Sequence, residues 1–427
     1  MSEPKFSVLM AHNDYQTGSP SGENASFRDE SELLSSRGHR VAPYTRCSDE
    51  IRTYSPWQRL VLVKNVGWSS DTCVALLRLL RETRPDVAHF QNIFPLISPS
   101  AYRACQEMGI PVVQALRNFR LLCPEATFYR DGGICEECLG RTVAWPSVVH
   151  GCYHDSRPQS AVLAAAFAAH NWRKTWHTDV NMYIAPTQFV RQKFIEGGFP
   201  AEKIAVKPNF VRVDPGERAG RGDYALYVGR LSPEKGITTL LAAWKKLPKV
   251  PLRIVGDGPL AAEVERSLVG NSHHVSWLGQ RSREETLDLI KGAMVLVFPS
   301  EWYETFGRVA IEAFACGVPV IASRIGAVEE VVSHERTGLQ FAPGSADELA
   351  AAMEWAWTHP REIAFMGRAA REEYKTKYTP ETNYERLMGI YNGIIRKIGS
   401  ETTNPGAHVP PERISSPMTR MTRAEGV

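Results

Sequence analysis

Three observations predict an α/β protein of two doubly wound domains facing a central cleft. Short apolar runs alternate with stretches of helical periodicity along most of the chain. A proline- and glycine-bearing break divides that alternation in two. The 427 residues leave each half about the size of one such domain.

In the first half the apolar runs are Val8–Met10, Asp86–Phe90, Pro111–Ala115 and Met182–Ala185. In the second they are Tyr224–Val228, Leu252–Val255, Val275–Leu278, Met294–Phe298 and Pro319–Ala322. Parallel strands are covered on both faces, so they read as continuous apolar runs of this kind. The break lies between Lys207 and Gly222, where prolines, glycines and charges replace periodicity. The expected organisation is a first domain over 1–208 and a linker over 209–222. A second domain over 223–378 follows, then a helix over 379–398 packing back on the first domain. The polar, aperiodic stretch 399–427 is expected to be disordered.

Composition removes several function classes. Lys plus Arg number 50 against 47 Asp plus Glu, so there is no general electrostatic case for a nucleic-acid partner. No apolar run approaches the ~18–20 residues of a membrane span, the longest being Ala161–Ala169. The N-terminus enters a strand directly, without a basic region and long apolar core. A cytoplasmic protein is therefore expected, with contact at the inner membrane face left open. In such a compartment the eight cysteines are not expected to form disulfides.

In open α/β sheets ligands bind beyond the carboxyl ends of the strands, so motifs that follow strands matter most. The strongest follows Val295–Ser300. It carries Glu304, Thr305, Phe306, Gly307 and Glu312, and closes with Gly317-Val-Pro319. Thr305 is a natural helix N-cap and Gly317 a natural C-terminal stop. A helix end at Phe306-Gly307 would offer N–H groups and a positive dipole to a diphosphate. Glu312, further along the axis, can accept from ribose hydroxyls.

The spacing Glu304-x7-Glu312, followed by Gly317–Ser323, resembles the retaining glycosyltransferases of family 4, whose GT-B fold joins two Rossmann-like domains. Val228-Gly229-Arg230-Leu231-x3-Lys235-Gly236 looks like that family's phosphate motif, and Ile254–Pro259 like its strand and turn near the nucleotide. Pro85-Asp86-x2-His89 and Pro208-Asn209 are similar to its first domain and linker. The resemblance covers about residues 5 to 397. It implies a nucleotide diphosphate sugar donor, a glycan or lipid-linked acceptor, no cofactor for catalysis, and a role in cell-surface or exopolysaccharide synthesis. A sugar-nucleotide epimerase on the same fold and a non-catalytic nucleotide-sugar-binding protein remain alternatives.

Residue by residue, Arg230 and Lys235 follow a strand in a glycine-containing turn, where two cations can cover a diphosphate leaving group. Gly256 belongs to the nucleotide turn, and Glu304 faces the sugar. Gly22 opens a helix after the first strand, where a small-residue loop can approach a phosphate. The family usually has two adjacent glycines there; this chain has Ser21-Gly22. Arg117 stands where many members carry His and cannot act as a base at neutral pH. Arg117 and Arg120 either bind an anionic acceptor or pair with surface carboxylates. His89, ending a strand, either orients hydroxyls in the cleft or is a satisfied polar residue.

Cys123-x11-Cys135-x2-Cys138-x13-Cys152 sits in an irregular insertion over about 123–157. Its spacing suits a structural zinc, with an iron–sulfur cluster or plain buried thiols as competitors. The apolar helix that follows can line a groove for a lipid-linked acceptor or pack against the sheet.

Overall fold

The computed structural model describes residues 4–15, 21–268 and 274–402. The first sheet contains β1 (Ser7–Asp14), β2 (Arg40–Cys47), β3 (Val87–Phe90) and β4 (Val112–Ala115). After a short hairpin of β5 (Tyr129–Arg130) and β6 (Gly133–Ile134) it adds β7 (Met182–Ala185) and β8 (Ile204–Val206). Its order is β2-β1-β3-β4-β7-β8, all parallel. The second sheet contains β9 (Ala225–Val228), β10 (Leu252–Val255), β11 (Val275–Trp277), β12 (Val295–Phe298), β13 (Val320–Ser323) and β14 (Gly338–Phe341). Its order is β11-β10-β9-β12-β13-β14, again all parallel.

Strand alternation builds two apolar layers on each sheet. In β1, Leu9 and Ala11 enter one layer, with Phe90, Tyr102 and Phe128. Val8 and Met10 enter the other, where Tyr384, Leu387, Met388 and Tyr391 of the last helix, Pro380–Thr402, complete the core. The second sheet does the same with Tyr227 and Val297 on one face and Leu226 and Leu296 on the other.

The chain passes from one body to the other twice, and the two crossings touch. Phe210 is buried in the first core and the next residue, Val211, in the second. The Val211 amide donates to the Tyr378 carbonyl at 3.0 Å, just before the last helix returns to the first core. This helix runs on through Thr402, past the 398 expected for its end; residues 403–427, most of the stretch expected to be disordered, lie outside the described residues.

Apart from the β5–β6 hairpin, three strands are not expected from the sequence: β2, β8 and β14. Each is at the edge of its sheet. Edge strands are paired on one side only and are less fully covered, so Arg40-Val-Ala-Pro-Tyr-Thr-Arg-Cys47 carries no continuous apolar run.

Candidate active site in the interdomain cleft

The carboxyl ends of the two sheets enclose a cleft of about 320 Å³. From the first body come Gly22, Glu23, Arg117 and Asn118; from the second come Gly229, Lys235, Trp302 and the run Tyr303–Val309. Of the residues expected from sequence, Gly22, Arg117, Lys235, Glu304, Thr305, Phe306 and Gly307 line this one space.

Lys235 ends a single 3-10 turn, Pro233–Lys235, after β9, and Gly236 follows with φ 69°. A Cβ on Gly236 would lie 1.8 Å from the Pro299 carbonyl oxygen, so only glycine lets this turn seat against the end of β12. That contact delivers the Lys235 Nζ to within 2.5 Å of Glu304 Oε1. The Ser300 hydroxyl donates to the same oxygen at 2.8 Å. The Lys235 ammonium also stands 5.0 Å from the centre of the Trp302 ring. An ammonium with a fixed carboxylate, a serine and an indole is preorganised rather than free in solvent.

The helix after Glu304 starts two residues later than expected. Gly307, with φ 89°, is the N-cap, and the helix spans Arg308–Ala315. Thr305 does not cap it: its hydroxyl donates to the Arg117 carbonyl at 3.0 Å, across the cleft. Thr187 reaches back to the Thr305 carbonyl at 3.3 Å. No side chain caps this helix, and Gly307, Arg308 and Val309 line the cleft. The anion-binding end expected there is thus present with glycine in place of threonine at its head.

Arg308, not singled out from sequence, joins the two halves. Its guanidinium contacts Asp29 Oδ2 at 2.5 Å and donates to Ser26 Oγ at 2.9 Å, both on the Gly22–Ser36 helix. Arg283 adds contacts of 3.4 Å to Asp29 and 3.6 Å to Glu312. Two carboxylate oxygens of Glu330 accept from the Gln188 and Phe189 amides at 3.0 and 2.9 Å, closing the N-terminus of the Gln188–Glu196 helix from the opposite body. The Asp29–Arg308 and Glu330–Gln188 contacts are not visible in sequence, because each joins residues more than a hundred positions apart.

Arg117 is buried rather than at the surface. It donates to Gln91 Oε1 at 2.7 Å and to Asn209, and reaches Glu30 at 3.2 Å. Lys207, also buried, contacts Glu30 at 2.6 Å. Burial opposes ionisation of Glu30, but Lys207, then His89 and Arg117, outweigh it and hold the carboxyl at about 2.

Five expectations need correction. His89 does not face the cleft: it is fully buried, 2.7 Å from the Tyr391 hydroxyl, and burial holds its imidazole down to about 4. His89 shares with Val87 the face of β3 on which the last helix packs, so Tyr391 covers it. Arg230 is exposed and outside the cleft lining; its carbonyl accepts from the Tyr227 hydroxyl at 2.8 Å. Gly256 also lies outside; its φ of 135° lets its Cα pass the Gly229 carbonyl, which a Cβ would meet at 1.9 Å. Glu312 is set back behind the helix end, where burial pushes its carboxyl up against the pull of Arg308 and Arg283. Arg120 bonds the Pro124 carbonyl at 2.5 Å and stacks over Phe94 at 4.5 Å, away from the cleft.

The cysteine expectation also changes. Among the described residues no group of three or more His, Cys, Asp or Glu side chains is placed to hold a metal ion. All four cysteines are free thiols. Cys138 packs with Ala144, Val148 and Ala164, and burial pushes its thiol up to about 12, with Cys123 and Cys152 raised for the same reason. Sequence spacing fixes which thiols can approach one another, not how the loops between them fold. Nor is any helix among the described residues long and apolar enough to cross a membrane.

The comparisons with known proteins agree with this geometry. Residues 21–209 match the glycosyl transferase 4-like domain and residues 214–373 the glycosyl transferases group 1. The chain belongs to the group 1 glycosyltransferases and has their GT-B fold. Among curated relatives, the sulfoquinovosyl transferase of Arabidopsis thaliana is 32% identical over 152 residues, 35% of this chain and 29% of that protein. The D-rhamnosyltransferase WbpZ of Pseudomonas aeruginosa is 30% identical over 203 residues, 47% of this chain and 51% of its own. The chain thus spans about half or less of these curated relatives. Among solved structures, sucrose-phosphate synthase from Thermosynechococcus elongatus superposes with a TM-score of 0.68 at 19% identity, covering 91% of this chain and 99% of that one. Anabaena HepE in complex with UDP-glucose gives 0.61 at 18% identity, covering 93% of this chain and 100% of that one.

Proposed function

We propose that the chain transfers a sugar from a nucleotide diphosphate sugar to an acceptor hydroxyl, with retention at the anomeric carbon, in cell-surface or exopolysaccharide glycan synthesis. The observation that carries this reading is the Lys235 ammonium, held 2.5 Å from Glu304 beside an uncapped helix end in a cleft between two bodies. The HepE complex with UDP-glucose supports a nucleotide diphosphate donor, and the D-rhamnosyltransferase and sulfoquinovosyl transferase relatives support transfer of a sugar.

In this reading the diphosphate lies against Lys235 and the Gly307–Val309 helix end, with Glu304 toward the sugar. The anomeric C–O bond to phosphate breaks and negative charge gathers on the leaving diphosphate. Lys235, already oriented, meets that charge without reorganising. The acceptor oxygen attacks from the same face, and its proton passes to the departing phosphate. No protein base is needed, which accommodates a permanently charged Arg117 beside the sugar site. The family typically works without a metal, and the positive groups named here suit that chemistry. Tyr303–Thr305 and Arg308 bridge the bodies over the site, so closure excludes water.

The test is release of nucleoside diphosphate from a panel of UDP- and GDP-sugars, with and without a crude glycolipid extract. Release only with extract, falling about 10²–10³-fold in Lys235→Met, fits the proposal. Release without acceptor, or unchanged turnover in the variant, overturns it.

A further inference from the structure

The insertion that follows the cleft loop carries an apolar stripe that the chemistry above does not use. The short helix Trp145–His150 lies along the helix Arg157–Trp172. Two bonds fix their relation: Asn171 Nδ2 donates to the Thr142 carbonyl at 2.9 Å, and Arg157 Nε to the Val149 carbonyl at 3.1 Å. The two helices therefore run antiparallel, burying Ala144, Val148 and Ala164 between them. What they leave outside is Trp145 at 53% exposure, Val149 at 51% and Trp172 at 71%, with Val143 also exposed.

Cations surround this stripe. Arg173 and Lys174 follow Trp172 directly, and both are exposed. Arg141 stands 5.3 Å over the Trp145 ring. The acidic neighbour, Glu137, is engaged by Arg130 at 2.7 Å and His150 at 3.4 Å. Exposed tryptophans rimmed by Arg and Lys match a bilayer interface, where indoles sit at headgroup level and cations meet anionic lipid. A second copy of the chain fits less well, since a stable interface needs about 800 Å² from each partner and would not favour an unbalanced positive rim.

We infer that the stripe Val143, Trp145, Val149 and Trp172, with Arg141, Arg173 and Lys174, docks the first body on an anionic membrane surface. The inference deepens the proposed function, for it brings the acceptor-binding body to a surface where lipid-linked acceptors are presented. It is nonetheless measured without turnover.

The experiment is co-sedimentation of the full chain with vesicles of phosphatidylcholine alone or with a third phosphatidylglycerol, alongside tryptophan emission. Wild type should bind the anionic vesicles and shift its emission to the blue, with little binding to the neutral ones. Arg141→Gln/Arg173→Gln/Lys174→Gln should weaken binding roughly a hundredfold, at about fivefold per cation. Trp145→Ser/Trp172→Ser should abolish the blue shift while circular dichroism stays native. Phe365→Ala, which removes an exposed aromatic from the opposite body, should bind as wild type. Absence of wild-type binding, an equal loss in Phe365→Ala, or a concentration-dependent dimer broken by the tryptophan variant would overturn the inference. Vesicle binding by a protein that transfers no sugar would leave the docking surface standing and remove only the proposed function.

Discussion

The contact between Asp29 and Arg308 yields the sharpest prediction, because it joins two bodies through one carboxylate. Asp29 is only 6% exposed and its partner 14%, with 2.5 Å between them. Removing one member of a buried pair costs ~3–5 kcal/mol when the other is stranded. Here Asp29 keeps Arg212 and Arg283 at 3.4 Å, but both are over 40% exposed and repay only part of the loss. Arg308→Met should therefore cost about 2 kcal/mol, less than a fully orphaned charge. Asp29→Asn leaves three arginines facing a neutral amide and should cost about 3 kcal/mol. In a double-mutant cycle the pair should couple by about 1–2 kcal/mol, read from urea unfolding of the four proteins. Since the residues sit on opposite bodies, both variants should also raise KM for the donor by loosening closure. Costs that add to within ~0.5 kcal/mol would refute the reasoning, since residues in contact do not behave so.

Three further outcomes follow from the same geometry. Gly256→Ala should destabilise by about 3 kcal/mol or more, since its Cβ would sit 1.9 Å from the Gly229 carbonyl at a φ of 135°; thermal unfolding checks it. Glu330→Gln should cost about 1 kcal/mol, because a neutral amide offers one oxygen where two amides are now met by a carboxylate; the melting temperature should fall modestly. Two groups should lose their stabilising contributions as pH falls, in two windows, the upper one opposed by Glu125, whose carboxyl burial raises to about 7 and which gains stability as pH falls. His89 is buried neutral with its imidazole held at about 4, so the unfolded chain protonates first and stability is lost between about pH 6.5 and 4. Glu30 is held at about 2, so its contribution, complete above about pH 4.5, is lost below it. Each is on the order of 3 kcal/mol, and His89→Gln should flatten the upper window alone; an unchanged slope there counts against the assignment.

What the sequence revealed, and what it hid, follows from range. Strands β9, β10 and β12 are readable because their central position demands continuous apolar runs; edges do not demand them, so β2, β8 and β14 escape notice while the edge strand β11 shows only through its short run Val275–Leu278. Lys235, Glu304 and Gly307 were readable because their motifs are local: a turn after one strand and a loop after another, each within a dozen residues. Arg308 sat inside the same motif and was passed over, since nothing local distinguishes a cleft-facing arginine from a solvated one; its partner Asp29 lies 279 positions away. His89 is not placed by its position near a strand end, because Tyr391, 302 positions later, covers it. The cysteines show the converse. Their spacing is local and suggestive, yet the hairpin β5–β6 and the apolar contacts of Cys138 decide where the sulfurs go.

In the proposed mechanism Lys235 meets the donor's phosphates. A crystal structure with a bound nucleotide diphosphate sugar tests this most directly. The expected result is a phosphate oxygen within hydrogen-bond distance of Lys235 Nζ, with the other phosphate at the Gly307–Val309 amides. A diphosphate bound elsewhere, with Lys235 still paired only to Glu304, would contradict it.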